Sequence, residues 1–404
     1  MISKKTGILF LALVMAIIMP MAILAGDEGS DPMSKYAQSS QFSLDFFGQI
    51  ISEESEKNIF VSPLSARLAM AMAYNGTGGG TREEMKAALG FGDMNDDEIN
   101  NYFQEMSNSL ETADPKVKLN IANSLWLLAN MDFKKSFFDT VTKYYEAEVA
   151  RTQDVGVIND WVSKNTNQKI KNIVDRIGPN DIMLLINAIY FKGEWKYKFD
   201  DKLTRTDNFY LLNSEIKKIP LMSQSGKFKY FENEDFQSIV LPYGNERLSM
   251  HIFLPHKDGT DYKSFLDSFN SDNWKQWNRM YRMMDGDILL PKFKLEYEKL
   301  LNDVFMNMGI HQAFNPEVAD FSNLLENARP GLAWISYVKQ KAFVEVNEEG
   351  TEAAAATAVM VMTKSISSKP ERFKMVVDHP FVCAIVDGQT GEILFIGSIV
   401  DPGL

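Results

Sequence analysis

The spacing of hydrophobic residues changes partway along this chain, and the change predicts helices first and strands later. Early on, apolar residues recur every three or four positions, as in a helix that buries one face. Phe42 to Ser55 follows that spacing. So does "SPLSARLAMAMAYN", Ser62 to Asn75, with Ser62 placed as its cap and Pro63 in the first turn, where a missing N–H costs little. The glycines of "NGTGGGT" stop that helix, "TREEMKAAL" restarts one from Thr81, and Asp96 to Leu110 reads as another. "VKLNIANSLWLL" alternates with the period of two expected of a strand. "VINDWVSKNTNQKIKNIV" returns to helical spacing, with a stripe of Ile158, Trp161, Val162, Ile170 and Val174.

From Ile182 the strand pattern dominates: "IMLLINAIYFKGEW", "SIVLPY", "LSMHIFLP", "DILLPKFKLEYE", "KAFVEVN", "FVCAIVD" and "ILFIGSIV". Helices followed by strands with few helical crossovers predict a mixed α+β fold. No repeat, low-complexity tract or linker interrupts residues 41–404, which read as one large domain. Residues 1–25 read as an export signal: Lys4 and Lys5, an apolar run from Gly7 broken by Pro20, and a small residue, Ala25, at the expected cut. The alternative is an uncleaved membrane anchor, since the run is nearly bilayer length. Residues 26–40 are rich in glycine, serine and aspartate and read as a flexible lead-in.

Composition narrows the function by exclusion. Of 404 residues 45% are hydrophobic and 24% charged, a globular balance, and the formal net charge of −12 argues against nucleic acid as a partner. The 4 histidines and 1 cysteine cannot build a zinc site of ordinary spacing or an internal disulfide, and no metal or cofactor is expected. The motifs of a serine-hydrolase elbow, a zinc protease, a phosphate-binding loop and a dithiol centre are all missing, so nothing marks an enzyme. Asp378-His379 precedes Pro380 and reads as a structural turn, and Cys383 within "FVCAIV" reads as an inert core residue.

One segment fits neither helix nor ordinary loop: "EEGTEAAAATAVMVMTKSIS", Glu348 to Ser367. Taken with period two, Thr351, Ala353, Ala355, Thr357, Val359, Val361 and Thr363 share a face with no charge and nothing larger than valine. No proline interrupts it, so a central strand with both ladders filled is open to it. Its flanks, Gly350 and the polar "SISSKPER", suit an exposed loop. Composition alone leaves three readings standing: loop, buried strand and alanine-rich helix.

The neighbouring residues decide. "VEVNEEGTEAAAAT", Val344 to Thr357, closely resembles the hinge signature of the serpins, the serine protease inhibitor family. "NIFVSPLSARLAMAM", "IANSLW", "LINAIYFKGEW", "LPKFKLE", "AFNPEVADFS", "DHPF" and "FIGSIVDP" are similar to that family's core motifs, in its order, over essentially all of the chain after the leader. The resemblance implies three β-sheets, eight or nine helices and an exposed reactive-centre loop at about 348–372. It implies a suicide inhibitor: a protease cuts the loop, is held as a covalent acyl complex, and the loop inserts as a new strand. Thr351 to Lys364 fully extended would span roughly 45 Å at about 3.3 Å per residue, enough to carry a tethered protease across a domain of this size.

Residue by residue, the resemblance makes Glu348, Glu349, Gly350, Thr351, Glu352 and Ala353 to Ala356 (Ala353, Ala354, Ala355, Ala356) the loop hinge, in which the small uncharged Thr351 and the small Ala353 to Ala356 suit insertion. It places the scissile bond at Lys364–Ser365, bait for a trypsin-like enzyme with a carboxylate in its specificity pocket. The alternatives are cleavage after Met362 or Met360 by an elastase-like, chymotrypsin-like or cysteine protease, or a non-inhibitory binding protein on the same fold. Ser62, Ser65 and Asn187 match the polar cluster where the central strands part, joined by Gln340 where the family commonly has histidine, and Trp195 matches the upper opening point. The acidic "GDMNDDEINNYFQEM" occupies the place of the heparin-binding helix, so heparin-type activation is not expected, and the protein is expected to act as a monomer. Asn75-Gly76-Thr77 is a glycosylation sequon.

Overall fold

The computed structural model describes residues 32–129, 131–259, 261–327, 329–351 and 372–403. The expected leader, hinge residues Glu352 to Ala356, and Met360, Met362, Lys364 and Ser365 lie outside them. The first part is mainly helical: α1 (Pro32–Glu54), β1 (Ile59–Val61), α2 (Pro63–Tyr74), α3 (Gly79–Ala88), α4 (Asp96–Glu111), β2 (Val117–Leu127), α5 (Lys135–Tyr145), β3 (Glu148–Arg151) and α6 (Val155–Asn165). Strands follow: β4 (Met183–Glu194), β5 (Arg205–Tyr210), β6 (Ile216–Glu232), β7 (Phe236–Pro242) and β8 (Leu248–Pro255). After α7 (Tyr262–Asp267) and α8 (Ser271–Met280) come β9 (Arg282–Pro291), β10 (Phe293–Leu300) and α9 (Asn302–Asn307). The last strands are β11 (Ile335–Asn347), β12 (Gly350–Thr351), β13 (Arg372–Val376), β14 (Phe381–Asp387) and β15 (Ile393–Ile399).

Six strands form one sheet in the order β10-β11-β12-β4-β2-β3, with β4 and β11 also paired directly. The other nine run β1-β15-β14-β8-β7-β6-β9-β13, with β5 on β6. Long β6 is where that ladder changes partners: residues 216–221 pair with β5, 221–230 with β9 and 229–232 with β7. The ladder so divides in two, and with the six-stranded sheet makes the three expected.

Strand β4 explains why "LLINAIYF" is apolar without alternation. Met183, Leu185, Ile189 and Phe191 enter the main core, while Leu184, Ile186, Ala188 and Tyr190 face a second cluster under α6. Both faces are buried, so both must be apolar. Helix α2 is buried along its whole length, and the Ser62 hydroxyl accepts from the Ser65 N–H at its start.

Four expectations change. The segment read as a flexible lead-in already contains α1 from Pro32, and Ser39 and Ser40 are buried. The helix read over "VINDWVSKNTNQKIKNIV" ends at Asn165, where Asn167 and Gln168 take positive φ values of 50° and 61°. Ile170 and Val174 still reach the same cluster as Ile158 and Val162, so the stripe marked a shared core and not one helix. "DILLPKFKLEYE" is two strands in different sheets, β9 and β10, parted at Pro291 and Lys292. Strands β5 and β6 escaped the hydrophobic pattern because much of β6 is exposed and lysine-bearing.

Phe253 packs at the centre of Phe236, Phe269, Trp274 and Trp277, with ring centroids 5.3–5.9 Å away. Phe253→Ala is expected to lower native stability by about 3–5 kcal/mol, read as a reduced urea midpoint by circular dichroism.

Candidate functional site

The site is a seam that opens at one end. Strands β4 and β11 pair in parallel from Met183 and Ile335 up to Tyr190 and Phe343. Beyond that point Gly350 and Thr351 lie between them, antiparallel to both: Thr351 opposes Val346 and Gly193, and Gly350 opposes Asn347 and Glu194. The chain leaves β11 at Asn347, turns through Glu348 and Glu349, and comes straight back. The Asn347 side chain fixes the turn by accepting from the Glu349 N–H (3.1 Å) and the Gly350 N–H (3.3 Å). Gly350 has φ +154°, and a Cβ there would sit 2.0 Å from the Gly193 carbonyl oxygen, so only glycine fits. Thr351 is fully buried, and its hydroxyl is 2.7 Å from that of Tyr243. Here the expected exposed loop is corrected: its first residues are already strand.

Trp195 caps this point. Its indole N–H donates to the Asn347 carbonyl (2.9 Å), its backbone N–H donates to the Glu349 carbonyl (3.0 Å), and its ring stacks on Tyr243 at 4.5 Å. The two hinge acids are each held by a lysine. Glu348 meets Lys292 at 2.8 Å and accepts from the Thr204 hydroxyl at 2.7 Å, and Glu349 pairs with Lys198. Burial works against ionised Glu348, but the bonds from Lys292 and Thr204 outweigh it and hold its pKa below the ordinary glutamate value. The hydrogen bond to Glu349 raises that of Lys198 against partial burial. Tyr243, Lys292, Lys198 and Thr204 were not singled out from the sequence. Lys292 lies inside "LPKFKLE" and Tyr243 ends "SIVLPY", but no one-dimensional pattern brings either to the hinge.

Halfway down the seam, the structure brings Ser62, Ser65, Asn187 and Gln340 together. The Gln340 amide N–H donates to the Ser62 carbonyl (2.9 Å) and to Asn187 Oδ1 (2.6 Å), while Gln340 Oε1 accepts from the Ser62 N–H (3.0 Å). Asn187 donates to the Ser65 hydroxyl and to Asn123 Oδ1, the latter at 2.6 Å. Asn123, within "IANSLW", is a member the sequence reading left out. Asn187 and Gln340 oppose each other across the β4–β11 ladder, so the network ties both strands to α2 beneath. None of these five side chains titrates in the ordinary range.

Other sequence features have structural explanations. His379 uses both ring nitrogens, one 2.8 Å from Asp378 and one 2.6 Å from the Pro255 carbonyl, and so serves the turn. Burial pushes the Cys383 thiol up to about 12, far from a reactive thiolate. The Asn75 amide of the sequon points inward, donating to the Ala71 carbonyl (3.0 Å), Asn100 (2.9 Å) and Tyr145 (3.3 Å), and Thr77 is fully buried. The folded protein offers no glycan acceptor there. The acidic segment forms α4, begun by a capping box between Asn95 and Glu98.

Asn187→Ala is expected to leave Gln340, Ser65 and Asn123 short of partners, at a cost of about 1–3 kcal/mol. Because Asn187 and Gln340 act through one bond network, combining Asn187→Ala with Gln340→Ala should cost clearly less than the two single losses added, as a double-mutant cycle in urea would read.

Comparison with known proteins gives one consistent answer. A family model described as "Serpin (serine protease inhibitor)" matches residues 37–402. An uncharacterised serpin-like protein of Thermococcus kodakarensis is 36% identical over 90% of this chain and 84% of its own length. Chicken neuroserpin (Gallus gallus) is 31% identical over 90% of each. Among solved structures, the thermophilic serpin tengpin in its native state superposes with a TM-score of 0.84 at 31% identity, covering 93% of this chain and 96% of that one. Human thyroxine-binding globulin, solved with its hormone, gives a TM-score of 0.83 at 26% identity over 93% and 100%. Matched along nearly its whole length and sharing the fold of solved members, the chain belongs to the serpins, a family made up mostly of protease inhibitors.

Proposed function

We propose that this serpin is a suicide inhibitor that takes a trypsin-like serine protease at Lys364–Ser365 and traps it as a covalent acyl complex while the cleaved loop fills the seam between β4 and β11. The observation that carries this reading is β12: two residues of the hinge already occupy that seam, paired on both sides in the orientation a continuing strand needs. After Glu352, the residues Ala353 to Ala356 are small enough to follow. A full new strand adds on the order of ten ladder bonds at roughly 0.5–1.5 kcal/mol each, so insertion runs downhill and the uninserted form is the working one. The lysine at 364 supplies a cation for a carboxylate-bearing specificity pocket. The leader Lys4 to Ala25 supports export, so the target is an extracellular or cell-envelope enzyme met by a monomeric inhibitor.

Mixing with trypsin, followed by denaturing electrophoresis, is expected to give a band at the summed mass and a released C-terminal peptide beginning at Ser365. A peptide beginning at Thr363 or Val361 would move the bait to Met362 or Met360. No covalent band with any serine or cysteine protease would favour a binding protein.

Thr351 is already buried in the seam against Tyr243, so Thr351→Arg would force a charge into that position, which further insertion would have to keep desolvated. That variant is expected to be cleaved at the same bond but to release the protease, turning the inhibitor into a substrate. An undiminished covalent band would refute the insertion route.

A further inference from the structure

Beneath α1, five side-chain polar atoms are buried with no hydrogen bond of ordinary geometry: Ser39 Oγ, Ser43 Oγ, Arg67 Nη1 and both carboxylate oxygens of Glu392, although the Ser39 hydroxyl lies close enough to Glu392 to influence it. The groups come from three segments, with the two serines on α1, Arg67 on α2 and Glu392 at the turn from β14 to β15. Arg67 is 2% exposed and Glu392 1% exposed, so water does not reach either from the surface. The Arg67 guanidinium is held by the Leu89 carbonyl (2.9 Å) and the Gly90 carbonyl (3.3 Å), with Phe42, Phe91, Tyr102 and Phe103 rings within 5.5–5.8 Å. A guanidinium does not release its proton, so any change of charge here falls to Glu392.

The groups that face Glu392 divide. Arg67 from α2 and the Ser39 hydroxyl from α1 favour its ionised form, while Asp387 at the end of β14 opposes it. Asp387 is itself engaged by Arg247, through two bonds of 3.1 Å. Desolvation outweighs the attraction, and burial pushes the Glu392 carboxyl up to about 7. A protonated carboxyl can donate to a serine hydroxyl and accept from the guanidinium. A carboxylate in the same place loses the donor and must bear a buried charge.

We propose that Glu392 is an internal proton-binding site that fastens α1 onto α2 and the β14–β15 turn when protonated and loosens that contact when it ionises. The sign follows from the folded value lying above the ordinary 4.5 of a glutamate. The stabilisation is complete below the unfolded value and disappears as the pH rises through the folded one.

Hydrogen exchange of the α1 amides, corrected for intrinsic rates, tests this between about pH 5 and about pH 8. Wild type is expected to lose protection by about tenfold or more over that range, whereas Glu392→Gln, neutral throughout, should hold it constant. The same slope in Glu392→Gln as in wild type would overturn the proposal. Should Glu392→Gln fail to fold, infrared titration of the wild type decides. A protonated carboxyl persisting at pH 6, where ordinary carboxylic acids are ionised, supports the site, and its absence removes it.

Discussion

Two parallel strands, β4 and β11, share a direct ladder over only part of their length, and the inhibitory mechanism proposed for this serpin depends on that unfinished pairing. Parallel ladders are slightly weaker per residue than antiparallel ones. A strand entering between them replaces one parallel ladder with two antiparallel ones, so the sheet gains both in number and in kind of bond. The end where β12 sits already has this arrangement over two residues. The tie of Asn187 and Gln340 to Ser62 and Ser65 binds the lower seam to a fully buried helix.

The hinge is built from contacts that differ in how they can yield. Gly350 is held by backbone bonds and by space, since the Gly193 carbonyl leaves no room for a side chain. Glu348 and Glu349 are fixed by charge, to Lys292 and Lys198 on two different strands or their approaches. Charge pairs at partly exposed positions contribute modestly and can re-form elsewhere. The steric fit cannot be rearranged.

Much of the architecture was legible because its residues obey short-range rules. Ser62 and Pro63 announce the start of α2, and "NEEGTEAAAAT" announces the hinge through its resemblance to the family's signature. The sequence failed where long-range partners overrode local pattern. Nothing in the lysines and serines of β6 marks it as the strand joining two sheets. Pro291 did not separate β9 from β10 by pattern, because both strands stay apolar on their inward faces. Tyr243 and Asn123 matter through what they touch across the fold, and no spacing along the chain carries that information. The proposed leader and the proposed bait residue, Lys364, rest on sequence alone.

Asn75 has a consequence for the choice of cell in which this protein is made. Its amide belongs to an interior network with Asn100 and Tyr145, yet the nascent chain presents Asn75-Gly76-Thr77 before that network exists. A secretory pathway that adds sugars to emerging chains would meet the sequon first, and a glycan once attached could not follow the side chain inside. α2 and α4 would then have to pack around a group larger than their interface. Hosts that attach no such glycans leave the asparagine free to fold.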